Sequence, residues 1–328
     1  MKLLGKYPGL RLRRNRKYDW TRRLVAENNL SVNDLILPIF VTEGKNKIES
    51  IKSMPNLYRY SVDKISPQIY RASKLGIPLI AIFPTTKAKK KNSLGTEALN
   101  PENLVCKTIK TIKKNNPNIG VMTDVALDPY TSHGHDGVLK GKEILNDETV
   151  KILSKQAILQ AEMGSDIIAP SDMMDGRVGA IRKALDKKNF KNVQILSYAA
   201  KYSSNFYGPF RDAIRSKKNL KGDKKSYQMD YKNSDEALRE VALDIKEGAD
   251  FVMIKPALPY LDIIKSVKES FKIPVFAYQV SGEYSMIYQA IKGGIFHKDA
   301  IEESLISIKR SGASAIITYF ALEIAKKL

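Results

Sequence analysis

The sequence predicts an α/β protein built as a (β/α)₈ TIM barrel with an N-terminal arm. Eight short apolar runs rich in β-branched residues recur along the 328 residues, helical patterns separate them, and no GxGxxG loop follows any run. The predicted strands are 35–41, 79–84, 119–127, 166–171, 193–200, 251–256, 274–280 and 315–320. Eight alternating strands and helices close a barrel, and the missing phosphate loop disfavours an open doubly wound sheet.

The segments around these strands define the expected domains. DETVKILSKQAILQAEMG opens on acids and ends on glycine, and SDEALREVALDIKEGAD opens on a serine N-cap, so both are predicted helices. The barrel should span 34–328. Residues 1–33 precede the first strand and are expected to form an arm that packs on another subunit. Residues 203–233 lack apolar periodicity and are expected to be an active-site lid without regular structure.

Composition and charge narrow the functional class. The chain is 43% hydrophobic and 27% charged, as globular proteins are. A net charge of +20 raises the possibility of nucleic-acid binding. However, the basic residues are spread along the chain apart from clusters in 1–17 and 215–225, so no nucleic-acid partner is expected. No run of about 18 apolar residues predicts a membrane span. The lone Cys106 cannot form an internal disulfide, so a cytoplasmic location is expected.

Two lysines each end a predicted buried strand. VQILSYAAK ends at Lys201 and FVMIK ends at Lys255. Because barrel enzymes place their chemistry at the C-terminal ends of strands, both side chains should face one site. Burial and a neighbouring cation disfavour the ammonium form, so a free amine that attacks a ketone can exist near neutral pH. The pair therefore predicts Schiff-base chemistry on carbonyl substrates.

Longer motifs connect this chemistry to a family. In chain order, TSHGHDG, APSDMMDGR, YAAKYSSNFYGPFRDA, FVMIKPALPYLD and VSGEY resemble the porphobilinogen synthases, also called δ-aminolevulinate dehydratases. The resemblance runs from RLRRNRK to the strand that contains Tyr319. It implies a lyase, of the hydro-lyase class, that condenses two molecules of 5-aminolevulinate to porphobilinogen with loss of two waters. It also implies a place in tetrapyrrole (heme) biosynthesis and a homo-octameric assembly.

The resemblance also implies roles for individual residues. Lys255 would hold the substrate that supplies the propionate side of the product, and Lys201 the one that supplies the acetate side. The remaining residues would bind polar groups of the substrates: Arg211 and Lys224 one carboxylate, Ser281 and Tyr319 the other carboxylate, and Asp124 and Ser171 the amino group of the substrate on Lys255. Since Lys225 directly follows Lys224, the resemblance leaves open which of these lysines binds the carboxylate.

One segment, DVALDPYTSHGHDG, departs from the zinc-dependent members of the family. Those members carry cysteine where this chain has Ala126, Asp128 and Asp136. Without thiolates, no catalytic zinc is expected, and an HGH turn at His133 and His135 does not replace them. The two aspartates are expected to orient groups, transfer protons, or contact a monovalent cation or Mg²⁺.

Magnesium-stimulated members imply a separate, allosteric Mg²⁺ position outside the active site. The corresponding carboxylate is Glu240, in the predicted helix SDEALREVALDI. Mg²⁺ keeps most of its waters, so one carboxylate can suffice, although a solvated helix face would look the same in sequence.

Two alternative functions stay open at this stage. A Schiff-base aldolase on a similar barrel would need only one imine lysine, so the stoichiometry of trapped substrate distinguishes it. A nucleic-acid-binding barrel that uses its basic arm would show salt-sensitive DNA binding and no turnover of 5-aminolevulinate.

Overall fold

A closed barrel forms the body of the protein, as the sequence predicts. The computed structural model describes residues 5–215 and 220–328; residues 1–4 of the predicted arm and 216–219 of the predicted lid lie outside the described residues. Within those ranges, eight parallel strands form a ring that closes where the first strand pairs with the last, with Leu35 opposite Ile316.

The strands of the described residues are, in chain order, β1 (Leu35–Thr42), β2 (Ile48–Ser50), β3 (Tyr58–Ser61), β4 (Leu79–Thr85), β5 (Gly120–Val125), β6 (Val138–Lys140), β7 (Glu143–Leu145), β8 (Ile167–Pro170), β9 (Gln194–Lys201), β10 (Phe251–Lys255), β11 (Val275–Tyr278) and β12 (Ala313–Ile317). The ring consists of β1, β4, β5, β8, β9, β10, β11 and β12. All eight predicted strands are therefore confirmed. The short hairpins β2–β3 and β6–β7 were not predicted, because three- or four-residue strands carry too little periodicity.

The α-helices of the described residues are α1 (Asp19–Leu24), α2 (Ser66–Lys74), α3 (Leu104–Asn115), α4 (Asn146–Glu162), α5 (Arg177–Lys187), α6 (Gly208–Ala213), α7 (Asp235–Lys246), α8 (Leu261–Phe271), α9 (Ser281–Lys292), α10 (Ala300–Arg310) and α11 (Ala321–Ile324). None of these helices combines the length and apolarity needed to cross a bilayer.

Strand and helix sequences show why the elements form. Every residue of β1 is buried, because parallel barrel strands are covered on both faces and so consist of continuous apolar residues. In α3, Val105, Ile109 and Ile112 are buried at helical spacing, and the side chain of Asn103 caps the helix by accepting from the Cys106 N–H at 2.9 Å. Burying each such aliphatic side chain contributes about 1.5–3 kcal/mol. Cys106 is itself buried, as predicted.

The arm has little contact with the barrel that follows it. No residue of α1 is buried, and Trp20 and Leu24 are 60% and 77% exposed. Leu30, although it belongs to the segment expected to pack on another subunit, is buried against the chain's own barrel. It lies next to the turn that leads into β1, where Asp34 pairs with Lys309 at 2.5 Å.

The described part of the segment 203–233 is not structureless, so this part of the sequence prediction is wrong. Asn205–Tyr207 form a 3₁₀ turn, and α6 follows directly. Arg59 fastens α6 to the barrel by donating to the carbonyls of Ala213 at 2.5 Å and Asp212 at 2.7 Å. A single six-residue helix is too short to produce a detectable apolar period, which explains the error.

Candidate active site

The two strand-end lysines lie side by side at the C-terminal face of the barrel. Lys201 ends β9 and Lys255 ends β10, and the two residues are opposite each other in these neighbouring parallel strands. Both are buried, with 6% and 7% of their surfaces exposed. Between Ser197, opposite Val252, and Ala200, opposite Ile254, β9 contains one more residue than β10, which is a β-bulge.

An aromatic enclosure surrounds the amine of Lys255. Its Nζ lies 4.5 Å from the ring centre of Tyr278 and 5.1 to 5.3 Å from those of Tyr198, Tyr207 and Phe210. Burial, followed by the nearby charge of Lys201, lowers the pKa of Lys255 from 10.5 to about 7. A substantial fraction of this amine is therefore uncharged at neutral pH, which is the form that attacks a carbonyl carbon.

Lys201 has a more polar environment. Its Nζ donates to the carboxylate of Asp136 at 3.2 Å and to the carbonyl of Ser171. Burial alone would raise the pKa of Asp136, but the charges of Lys201 and Lys224 lower it to about 2. Asp136 therefore stays ionised at neutral pH and acts as the counter-ion that holds the Lys201 side chain at the site.

Lys224 completes this buried charge cluster. Its Nζ is 2.5 Å from Asp136 Oδ1 and 3.4 Å from Asp128 Oδ2. Burial alone would lower the pKa of Lys224, but Asp128 and Asp136 raise it, so the ammonium is retained. Lys225 is exposed. The sequence could not decide between Lys224 and Lys225. In the structure, Lys224 is the one near Lys201, because both contact Asp136.

The two strand-end lysines, Arg211 of α6 and Lys224 line one cavity of about 40 Å³. This is little more than the roughly 30 Å³ that one water occupies in the liquid. Larger cavities, of about 400 and 900 Å³, are lined by other residues. Phe210 and Arg211 of α6, together with Leu220, Lys224 and Gln228, contribute to the lining of this cavity.

Asp124, which lies within β5, and Ser171 are near the lysines. One carboxylate oxygen of Asp124 is buried without a hydrogen-bond partner among the described residues. Burial, followed by the charge of Asp128, raises the pKa of Asp124 to about 6. Ser171 directly follows β8 and is 4% exposed. An unpaired buried acceptor costs about 1–3 kcal/mol, so an ammonium donor from a substrate would be favoured here.

Ser281 and Tyr319 lie behind the aromatic enclosure. Ser281 is the first residue of α9, and its hydroxyl accepts from the Phe210 N–H at 2.8 Å, which connects α9 to α6. Tyr319 comes two residues after β12, not within the strand, and its hydroxyl is 2.9 Å from that of Tyr278. Burial raises the pKa of Tyr319, so its hydroxyl remains a neutral donor. A helix N-terminus and a hydroxyl donor suit a carboxylate.

Sequence reasoning missed the aromatic side chains around Lys255 and the role of Glu283. This buried carboxylate accepts from the backbone N–H groups of Leu258 at 2.6 Å and Val280 at 2.7 Å, which joins the loops after β10 and β11. Tyr278 was detectable, because it ends β11 as Lys255 ends β10. Tyr198 was not, because the bulge in β9 changes which residues share a face.

The two histidines of the segment DVALDPYTSHGHDG contact other protein groups and do not form a metal site within the described residues. His135 contacts the Tyr227 hydroxyl at 3.1 Å and the Lys221 carbonyl at 2.7 Å, and His133 contacts the Ser93 carbonyl at 3.1 Å. In the part of the chain that the structure describes, no three His, Cys, Asp or Glu side chains form a group that could hold a metal ion. Ala126 is buried and offers no ligand atom.

Glu240 lies on α7 and lines a separate cavity of about 900 Å³ together with Asp175 and Glu236. Burial raises the pKa of Glu240, Arg177 lowers it, and the charges of Asp244, Asp175 and Glu236, in that order, raise it further. A bound cation would relieve this repulsion among carboxylates. Because no three of the described carboxylates form a group that could hold an ion, a hydrated Mg²⁺ here would have to rely on one direct carboxylate, which Glu240 could supply.

Comparisons with known proteins agree over nearly the full length of the chain. The model of the family described as delta-aminolevulinic acid dehydratase matches residues 9–327. The delta-aminolevulinic acid dehydratase of Bradyrhizobium diazoefficiens is 58% identical over 320 residues, 97% of this chain and 91% of the relative. That of Methanothermus sociabilis is 52% identical over 323 residues, 98% of this chain and 100% of the relative.

The same agreement extends to three dimensions. The crystal structure of delta-aminolevulinic acid dehydratase (porphobilinogen synthase) from Toxoplasma gondii ME49, in complex with the reaction product porphobilinogen, superimposes with a TM-score of 0.95. It is 45% identical, and the match covers 97% of this chain and 91% of that one. The full-length family match and the identities of about one half identify this chain as a member of the delta-aminolevulinic acid dehydratase family.

Proposed function

We propose that this protein is a porphobilinogen synthase, a hydro-lyase that condenses two molecules of 5-aminolevulinate to porphobilinogen and releases two waters. The observation that carries the proposal is the pair of buried lysines opposite each other in neighbouring strands, one of which, Lys255, has a pKa lowered to about 7. Two ketones need two imine-forming amines. A single-lysine aldolase would leave Lys201 without a function. The reaction is a step of tetrapyrrole (heme) biosynthesis.

The two lysines account for both waters that the condensation releases and for both bonds that it forms. Each amine attacks one ketone carbon and the C=N bond forms with loss of one water, which accounts for both waters. Loss of a proton next to the imine carbon on Lys201 gives an enamine whose carbon attacks the imine carbon on Lys255. Loss of the remaining proton from the attacking carbon then forms a C=C bond and expels the Lys255 amine. The amino group of that substrate attacks the imine carbon on Lys201 and displaces the second lysine, and loss of a further proton completes the pyrrole.

The neighbouring polar groups are proposed to orient the two substrates. Arg211 and Lys224 bind the carboxylate of one substrate. Ser281 and Tyr319 are the second pair of donors, and they bind the other carboxylate. The unpaired oxygen of Asp124 accepts from the amino group of the substrate on Lys255, beside Ser171. With a pKa near 6, Asp124 is also the carboxylate best suited to carry protons at neutral pH. Asp128 and Asp136 are counter-ions of Lys224.

Incubating the purified protein with 5-aminolevulinate tests this function directly. The expected result is accumulation of porphobilinogen, detected by mass spectrometry and by an aldehyde reagent for pyrroles. Absence of any pyrrole product, together with DNA binding that weakens as salt rises, would instead support the nucleic-acid-binding alternative.

Replacing Arg211 by alanine should raise KM for 5-aminolevulinate by roughly tenfold to a hundredfold, because a charge-assisted hydrogen bond to a carboxylate is worth about 1.5–3 kcal/mol. Steady-state kinetics give the measurement. The control is Lys232→Ala, an exposed cation of the same segment whose side chain pairs with Asp230. An unchanged KM in Arg211→Ala would show that this residue does not bind substrate.

The proposed metal requirement follows from the side chains present. Catalytic zinc is not part of the proposal, because the segment that is rich in cysteine in zinc-dependent relatives has Ala126, Asp128 and Asp136 here, and both aspartates pair with Lys224. An allosteric Mg²⁺ at Glu240 would supply charge compensation for Glu236 and Glu240 of α7 and for the neighbouring carboxylate of Asp175.

Glu240→Ala should abolish stimulation of turnover by Mg²⁺ and leave the basal rate within about twofold, because one carboxylate is the main protein ligand expected for a hydrated Mg²⁺. Initial rates are measured over a Mg²⁺ titration after chelation of bound metal. The matched control is Glu269→Ala, an exposed glutamate on α8. Full Mg²⁺ stimulation in the Glu240 variant would place the ion elsewhere.

The proposed assembly is a homo-octamer in the cytoplasm, with the arm of residues 1–33 bound to a neighbouring subunit. Its support is the exposure of the described arm: Tyr18 stacks on Trp20 with ring centres 6.2 Å apart, yet both remain more than half exposed in the single chain. Large exposed apolar side chains of this kind are usual where another protein surface covers them. The lone buried Cys106 agrees with a reducing compartment.

Deleting residues 1–16 should yield smaller assemblies and lower activity together, since the arm is proposed to bridge subunits. Mass is measured by light scattering, and turnover is measured on the same fractions. Trp20→Ser, which leaves the chain length unchanged, should shift the mass in the same direction. An unchanged mass for both variants would contradict the bridging role of the arm.

A further inference from the structure

A second cavity at the C-terminal face of the barrel is not used by the proposed reaction. It has a volume of about 240 Å³ and lies where β1 and β4 end, next to the residues that follow α6. Thr42 ends β1, Thr85 ends β4, and Arg215 lies two residues beyond α6. The cavity therefore borders both the barrel and the lid segment, and it does not include Lys201 or Lys255.

The lining of this cavity is strongly basic. It includes four cations and one carboxylate, namely Lys47, Lys87, Lys91, Arg215 and Glu43. The carboxylate is already shared: Glu43 is 3.6 Å from Lys87 and 3.3 Å from Lys90, which lies outside the lining. Lys47 and Arg215 both pair with Glu49, at 3.8 Å and 2.5 Å, so Lys91 is the lining cation that has no carboxylate within 4 Å among the described residues. A buried ammonium without a counter-ion attracts an anion more strongly than a solvated, paired one.

Two buried donors of the cavity have no partner. Thr86 is 5% exposed, and its hydroxyl has no hydrogen-bond partner among residues 5–215 and 220–328. The same holds for the Nζ of Lys91, which is shielded from solvent. By contrast, the hydroxyl of the neighbouring Thr85 donates to the carbonyl of Ala213 at 3.4 Å. Buried donors are normally satisfied, so these two indicate a ligand that supplies acceptor oxygens.

Burial lowers the pKa of Lys91, while the charge of Asp128 raises it. A bound anion would offset the desolvation of this ammonium and stabilise its charged form. The volume is below the roughly 300 Å³ at which sites for drug-sized ligands begin, so the ligand should be small.

We propose that this cavity is a binding site for a small oxyanion, with the Thr86 hydroxyl and the Lys91 ammonium as its direct donors. Carboxylate and phosphate oxygens share the required chemistry. Because Arg215 of the lining belongs to the segment that carries Arg211, a bound oxyanion would lie between that segment and the ends of β1 and β4. The proposal concerns a site other than that of the lysines, and its test needs no turnover.

Isothermal titration calorimetry at constant ionic strength tests the site, with inorganic phosphate in one series and acetate in the other. The full-length protein should bind at least one of them, and both Thr86→Val and Lys91→Gln should weaken that binding by about tenfold or more, the equivalent of one lost hydrogen bond to a charged group. Thr86→Val keeps the shape of the side chain. The control is Lys89→Gln, an exposed lysine of the same loop that is not part of the lining.

Comparison of the two titrations identifies the class of the bound anion. Stronger binding of acetate identifies a carboxylate as the ligand, and stronger binding of phosphate identifies a phosphate. Because Arg211 and Lys224 also attract anions, the titrations are repeated in Arg211→Ala, where the binding that depends on Thr86 must persist. Absence of binding in the wild-type protein, or equal weakening by Lys89→Gln, would overturn the proposal and leave the proposed synthase function unaffected.

Discussion

Replacing Lys255 by alanine should lower turnover of 5-aminolevulinate by a factor on the order of 10⁴ or more, the scale on which loss of a catalytic nucleophile acts. Among the described residues, no amine other than that of Lys255 lies over the rings of Tyr198, Tyr207 and Tyr278. The measurement is the rate of porphobilinogen formation. The control is Lys265→Ala, which removes a lysine from the exposed face of α8 and should change the rate less than about twofold.

Borohydride reduction gives an independent test of the same residue. Wild-type protein that is treated with borohydride in the presence of substrate should carry a covalent adduct on Lys255, and Lys201→Ala should still trap one substrate there. Trapping should accelerate as pH rises through about 7, because the lowered pKa of Lys255 makes its amine neutral above that value. Near-wild-type turnover in Lys255→Ala would refute the double-imine mechanism.

Replacing Asp136 by asparagine should lower turnover by roughly a hundredfold and destabilise the protein by about 3–5 kcal/mol, since removing one partner leaves buried charge uncompensated. Asp136 is fully buried and contacts both Lys201 and Lys224. Steady-state rates and chemical denaturation measure the two effects. Asp186→Asn, at an exposed position on α5, is the matched control. Wild-type rates in Asp136→Asn would show that Lys201 needs no counter-ion.

Acid denaturation provides a second measurement for Asp136. Its folded-state pKa is about 2, below the ordinary value of 3.8, so its contribution to stability is complete above about pH 4 and is lost as pH falls towards 2. The wild-type protein should therefore lose stability over this window by an amount that is missing in Asp136→Asn. Identical pH profiles for the two proteins would contradict the lowered pKa.

Much of the fold and of the candidate site could be predicted from the sequence, because the apolar runs and motifs that indicate them are several residues long. The eight barrel strands are continuous apolar runs, and a lysine that ends such a run stands out chemically, as Lys201 and Lys255 do. The resemblance gave the family, which the comparisons confirm, together with its reaction. Lys224 and Lys225 could not be separated, because adjacent residues of one type differ only in where the backbone directs them.

Other features depend on tertiary contacts and leave no local signal. α6 is six residues long and is held by Arg59, which is distant in sequence, so neither its helix nor its position could be predicted. The pKa of Asp136 depends on two lysines from other parts of the chain. The buried donors Thr86 and Lys91 are ordinary residues in sequence, and only the absence of partners among the described residues distinguishes them.

The single extra residue in β9 constrains how this enzyme can vary. Side chains alternate between the two faces of a strand, so Tyr198 and Lys201, three positions apart, would face opposite ways in a regular strand. Because of the bulge, Tyr198 approaches the amine of Lys255 while Lys201 remains opposite Lys255. Point substitutions near the bulge leave both side chains on the faces they now occupy. A one-residue deletion between 197 and 200 would move one of them to the opposite face. The facing arrangement of Lys201 and Lys255 should therefore depend more on the length of β9 than on the residue types near its bulge.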